Sequence, residues 1–203
     1  MILQRFINRH IPGLRILPVS MKHYVPGILL DAKKLHLMGH CRDLLPEEPE
    51  ASWVVHHSEA SIVYGMIAAS RKLGGGAHVL GVISLSGRLS DDLRIRIDIS
   101  DIRGAYLGIN QLQLHPKINN LRRTDRWGRW RQANGRFVVL ESFYACRFEA
   151  TFYKKNQLIS RAELDQMTRI NIHGNLKYLW KADKTLVIAN NNEVPFGVRG
   201  FVV

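Results

Sequence analysis

Cysteine is scarce in this chain: Cys41 and Cys146 are the only two among 203 residues. They form no C-x-x-C pair and no spaced framework. That excludes a disulfide-stapled scaffold and points to a reducing compartment such as the cytoplasm. Long apolar runs are missing as well. Residues 62 to 69, IVYGMIAA, come nearest and stop at Ser70, Arg71 and Lys72, well short of the ~20 residues a spanning helix needs. The opening MILQRFINRHIPG is interrupted by Arg5 and Arg9 and does not read as a secretory signal. No internal repeat or low-complexity tract is found.

Enzyme signatures are also lacking. The chain has no G-x-S-x-G, no H-E-x-x-H and no Walker phosphate loop. Gly74, Gly75 and Gly76 do not make a G-x-G-x-x-G fingerprint, because its last position is Val79. His36, His40 and Cys41 are ligand types, but no further ligand falls at a standard spacing. His56 and His57 are too loosely placed to complete a zinc pattern, so these residues read as structural. No enzyme, metal or cofactor is expected. Acidic residues are few: 17 Asp and Glu against 29 Lys and Arg leave a net charge of +12. Such a chain seeks polyanions, either nucleic acid or a membrane rich in acidic lipid.

What is present is globular. Hydrophobic residues make up 46%, which excludes wholesale disorder, and the length suits one domain spanning 1–203. The strongest pattern lies at 136 to 154. Val138, Leu140, Tyr144, Cys146, Phe148, Ala150 and Phe152 share one parity, while Glu141, Arg147, Glu149 and Thr151 share the other. A period of two over this length predicts one long strand with an apolar and a charged face. Ordinary strands run to about 5–6 residues. Ser142 and Phe143 interrupt the alternation midway, which predicts a break or bend in the soluble form. A second amphipathic strand is predicted at 93 to 100, where Leu93, Ile95, Ile97 and Ile99 alternate with Arg94, Arg96, Asp98 and Ser100.

The rest is punctuated more weakly. Ile2, Leu3, Phe6 and Ile7 recur at helical spacing before Pro12 and Gly13, predicting a short basic amphipathic helix. LRILPV (14 to 19) reads as a strand, LHLMGHC as a strand or strand end, and RDLLP as a short helix or turn. EEPEAS (47 to 52) reads as an exposed acidic loop. Residues 53 to 70 read as a strand followed by a helix or second strand, and AHVLGVISLSGRL as either helix or strand. Residues 101 to 116 are expected to turn through Gly104 and Gly108 into a short element ending before Pro116. SRAELDQM carries a capping box, Ser160 before Glu163. RINIHGNLKYLW and KTLVIANNNEVPFGVRGFVV read as strands with an Asn-rich turn at 190 to 192.

One segment has a binding composition. From 117 to 136, Lys117, Arg122, Arg123, Arg126, Arg129, Arg131 and Arg136 surround a single acid, Asp125, with Trp127 and Trp130 between them. Arg with stacking aromatics suits nucleic acid, and the same mixture suits a membrane interface. A solvated loop whose tryptophans cover a core edge fits equally.

Taken together, four stretches resemble gasdermins, the pore-forming cell-death proteins, and especially their small bacterial members. They are the amphipathic start with LRILPV, KKLHLMGHCRDLLP, LGVISLSGRLSDDLRIRIDISDI, and the pair GRFVVLESFYACRFEATFYKK and KTLVIANNNEVPFGVRGFVV. The order of elements carries the resemblance, and no single motif does. It implies an α+β fold: a twisted, mainly antiparallel sheet with peripheral helices, whose long strands refold as hairpins of an oligomeric membrane barrel. The two hairpins would fall within about 60 to 100 and about 137 to 189. Leu93, Ile95, Ile97, Ile99 and the even-numbered apolar residues of 138 to 152 would then form the membrane strands, with Arg94, Arg96, Arg147 and Glu149 facing water. Acidic lipid would be met by Arg5 and Arg9, and further by Arg15, Arg122, Arg123, Arg126, Arg129 and Arg131.

The family also implies a cytoplasmic inactive form, a membrane-bound active form on the inner face of the cell membrane, homo-oligomers, and restraint by an inhibitory partner or segment removed by a protease. Two departures stand out. No cysteine precedes Cys41, so the N-terminal acylation of bacterial members is not expected. The chain stops at FGVRGFVV, which looks like the last strand of the pore-forming part, so the expectation is either an activated or truncated form, or restraint by something other than cleavage, such as self-association.

Overall fold

The computed structural model describes residues 2–17, 24–59, 63–68, 77–79, 83–86, 92–121, 135–167, 169–172, 177–182 and 184–203. In chain order, helix α1 (Ile2–His10) precedes strands β1 (Arg15–Ile16), β2 (Ile28–Asp31) and β3 (Leu37–His40). Helix α2 (Cys41–Leu44) and a 3-10 turn (Glu50–Trp53) lead to β4 (Val55–Glu59), β5 (Val63–Ala68), β6 (Ala77–Val79) and β7 (Ile83–Ser86). Then come β8 (Leu93–Ser100), β9 (Arg103–Leu107), helix α3 (Gln111–Leu121) and the long β10 (Arg136–Lys154). The chain closes through β11 (Gln157–Leu158), helix α4 (Arg161–Met167), β12 (Arg169–Ile172), β13 (Lys177–Lys181) and β14 (Thr185–Val202).

The fold is α+β and its sheets are antiparallel throughout the described pairings. Strand β10 is the spine of an eleven-stranded sheet. One of its edges is filled in succession by β2 at 136–138, β9 at 141–144 and β8 at 147–154. Its other edge carries β14 from Phe137 to Thr151, then β11. Beyond these, β4 pairs with β9, β5 with β8 and β13 with β14. A separate three-stranded sheet has the order β12-β7-β6.

Helix α1 buries Ile7 and exposes Arg5, Asn8 and Arg9, as a helical stripe requires, and Ile11 just after it is buried as well. Helix α4 starts at the expected capping box: the Glu163 N–H donates to the Ser160 hydroxyl (3.3 Å), and the Ser160 N–H donates to the Glu163 carboxylate (2.9 Å). The bonds that the Glu163 carboxylate accepts from the Ser160 N–H and hydroxyl hold it below its ordinary value. Helix α3 has a matching start, with Asn110 and Gln113 exchanging side-chain to backbone bonds of 3.1 and 3.2 Å.

Several expectations are corrected. Helix α3 runs through Pro116 instead of ending before it. Proline removes the bond to the carbonyl four residues back, which belongs to Leu112, on the solvent side and 87% exposed. Gly104 lies inside β9. Residues 190 to 192 do not form a turn between two strands, because β14 is continuous through them. Strand β2, ILLD, carries no alternation because all four residues are buried, and a strand buried on both faces reads as a plain apolar run. Of LRILPV only Arg15–Ile16 is described as strand, and 18 and 19 lie outside the described residues.

Candidate functional site

The two long amphipathic segments meet in the half of the sheet farthest from β2. There β5, β8, β10 and β14 lie side by side, with β13 on the outer edge of β14, so strands from the expected 60–100 and 137–189 regions lie in one array. Register sets the faces. Ile99, Ile97 and Ile95 oppose Phe148, Ala150 and Phe152, and Phe148 and Ala150 oppose Ile188 and Leu186. All are buried in one cluster. Phe148 and Phe196 pack edge to face at 5.9 Å, and Phe152 lies 6.2 Å from Trp180.

The other face carries the ions. Arg96 pairs with Asp98 at 3.2 Å along β8, and Arg147 pairs with Glu149 along β10. Arg94 donates to the Asn156 side chain at 2.7 Å, and the Thr151 and Thr185 hydroxyls are 3.1 Å apart. These pairs are partly exposed, so each contributes little stability, roughly 0–1 kcal/mol. Their value is to keep one face wet.

The expected single apolar parity of β10 is corrected. Phe148, Ala150 and Phe152 lie in the distal cluster as expected, but so do Phe143 and Ala145, of opposite parity. Tyr144 is half-buried, and its hydroxyl donates to the Tyr24 carbonyl at 3.2 Å. Val138 belongs to a different cluster, against which Leu140 packs. The reason is a set of register shifts between Val139 and Glu141, Phe143 and Tyr144, and Ala145 and Arg147. Each bulge re-aims the side chains beyond it. The side chain of Cys146 lies outside what is described.

The last shift belongs to a line across the sheet. Opposite it, β14 runs from Ala189 to Val194 while β10 advances only from Arg147 to Ala145. Strands β8 and β9 part at the same level, where Asp101 adopts a φ of 52°. Strand β4 ends at Glu59 and β5 begins at Val63 beside it. Arg103 and Glu193 form an ion pair of 3.1 Å on this line.

The apolar face is covered by chain segments that join these strands, through Ile83 and Leu85 of β7, Leu164 of α4 and Ile159, and by the N-terminal segment, through Ile7 of α1 and Ile11 just after it, with Ile170 and Ile172 of β12 packed on the cluster.

The expected lipid contacts separate. Arg5 and Arg9 are exposed on α1. Arg15 is half-buried, its guanidinium 4.3 Å from the Phe137 ring and donating to the Ala32 carbonyl at 3.1 Å. It is therefore held inside the fold, and burial lowers its pKa. Arg122, Arg123, Arg126, Arg129 and Arg131 lie outside the described residues. At the two ends of the basic segment, Lys117 pairs with Glu48, and Arg136 is 1% exposed. Cys41 is buried among Leu29 and Leu44, and burial pushes its thiol up to about 12, where it stays protonated.

No helix among the described residues is long and apolar enough to cross a membrane, which leaves strands untested. No family model matches the chain, and no curated protein matches it. Among solved structures it is similar to a bacterial gasdermin from Bradyrhizobium tropiciagri, with 12% sequence identity and a TM-score of 0.47, over 92% of this chain and 80% of that one.

Proposed function

We propose that this chain is a gasdermin-like pore-forming protein, which binds acidic membrane lipid, oligomerises and permeabilises the membrane in defence or programmed cell death. The observation that carries the reading is the distal array: four antiparallel strands with Leu93, Ile95, Ile97, Ile99, Phe148, Ala150 and Phe152 on one face and Arg94, Arg96, Arg147 and Glu149 on the other. A closed barrel of strands crosses lipid because it leaves no unpaired edge. Such a barrel shows lipid an apolar face and keeps a wet lumen. The order of elements in the sequence supports the same reading, as does the +12 charge, which favours an acidic surface.

In this reading the protein is cytoplasmic while inactive and acts at the inner face of the membrane. Arg5 and Arg9 meet acidic headgroups, and copies of the chain join edge to edge. Restraint comes from an inhibitory partner, a protease-sensitive segment or self-association.

Dye-loaded liposomes with and without acidic lipid test it. Release is expected from the acidic vesicles and should fall at least tenfold when Arg5 and Arg9 are both changed to Glu. Absence of release under every activating condition tried would overturn pore formation. Unchanged release by the double variant would remove α1 from lipid docking.

A further inference from the structure

The distal strands are short for the task assigned to them. β5 has 6 residues and β8 has 8, whereas a membrane strand needs about 9–11. Strand β14 pairs with β10 beyond the bulge line only from Ala189 to Thr185. The missing length must come from the segments that connect the strands of each hairpin. Those segments are occupied. β7 belongs to the connection between β5 and β8, and β12 to the connection between β10 and β14. They pair with each other: Arg169 with Ser86, Ile170 with Leu85, Asn171 with Ser84 and Ile172 with Ile83.

We infer that the β7·β12 ladder is a clasp that joins the two hairpins in the soluble fold, so that neither lengthens until the other is also released. The inference rests on the pore-forming reading and concerns its control.

The side chains fit the role. Ile83 and Leu85 are 2% and 1% exposed, and their ladder partners Ile172 and Ile170 pack against the same cluster. The clasp therefore does two things at once. It ties up backbone donors and acceptors that a longer strand needs for its own ladder, and it shields the apolar face of β8 and β10. Each partner in the ladder belongs to a different hairpin, so opening it frees both.

The chain reversals at the far end agree with strand length held in reserve. β10 folds back into β11 through Lys155 and Asn156, with φ of 49° and 66°, and β13 leads into β14 past Ala182, with φ of 51°. Left-handed conformations are unfavourable for Lys155 and Ala182, whereas Asn tolerates one, so straightening these turns relieves strain at Lys155 and Ala182 as the strands extend.

A cross-link decides the matter. Ser84→Cys with Asn171→Cys places two thiols at directly opposed positions, whose Cα separation suits a disulfide. Each single variant serves as control. On vesicles containing phosphatidylserine, the oxidised double variant should release trapped dye at least tenfold more slowly than its reduced form, and a reductant should restore the rate. Equal rates when oxidised and reduced would overturn the clasp.

If the reduced double variant and both single variants all fail to release dye, the pore reading falls, and amide exchange in solution still judges the clasp. Oxidation should then slow exchange at 95–99 and 148–152 together, whereas slowing confined to 83–86 and 169–172 would overturn the coupling. Leu85→Asp provides the opposite arm: it should speed release and raise binding of an apolar-surface dye, and no change in either would also count as refutation.

Discussion

At its proximal end β10 is buried on both faces. Phe137 and Val139 lie in one cluster with Ile28, Leu30 and Val198, while Val138 lies in another with Leu29, Leu114, Ile118 and Phe201. At its distal end the same strand buries one face only, and Arg147, Glu149 and Thr151 stay on the wet side. A strand buried on both sides has nowhere to go without losing the core. A strand buried on one side can exchange its cover for another apolar medium and keep its polar face in water. In the proposed pore-forming role, the proximal half would hold the fold and the distal half would exchange its cover. The line of irregularities at 101–102, 145–147 and 189–194 separates them.

Five substitutions probe that division. The largest effect is expected from Gly200→Ala in the proximal half. A Cβ there would sit 1.8 Å from the Val138 carbonyl oxygen, with the Leu140 backbone nitrogen also at 3.2 Å, and a loss of about 4 kcal/mol or more is expected, the range of severe steric damage. Denaturant titration measures it. A loss below 1 kcal/mol would mean that the proximal sheet yields more readily than its packing implies.

Next come Phe137→Ala and Phe152→Ala, both at 1% exposure and each expected to cost about 3–5 kcal/mol locally. Their reach should differ. Phe137→Ala should lower exchange protection throughout the sheet, whereas Phe152→Ala should lower it in β8 and distal β10 and leave β2 unchanged. Equal loss in β2 from both variants would erase the distinction.

Arg103→Ala, which breaks the ion pair with Glu193, should cost only about 0.2–1 kcal/mol, because the Arg103 side chain is 67% exposed. A larger cost would make that pair a true brace across the line.

The smallest effect is in acid. The Lys34 and Lys33 N–H groups donate to Asp31 at 2.6 and 3.0 Å and hold its carboxyl below the usual range. A depressed carboxyl contributes stability that is present above its unfolded value and is lost as pH falls through its folded value. Asp31→Asn should therefore be less stable than the parent at neutral pH and should converge with it in strong acid. Thermal unfolding at several pH values checks the trend, and parallel curves would show that the turn does not depend on charge.

Much of the outline was legible in the residues. Alternation alone located β8 at 93–100, and the Ser160–Glu163 box located the start of α4. The length of β10 followed from its period. Other features left no mark in the pattern. Strand β2 escaped because burial on both faces removes alternation, and helix α3 passed Pro116 because its lost bond falls on the solvent side.

The sequence by itself determined that this protein has two amphipathic strands with ions on one face, a basic surface and a cappable helix, because these depend on neighbours within a few residues. Only the tertiary structure decided which strands lie together, that Arg15 is turned onto Phe137, and that Phe143 and Ala145 face inward with Phe148. It also decided that β7 pairs with β12. Those facts depend on register and bulges, set by partners far away in the chain, and a one-residue shift there reverses every side chain that follows.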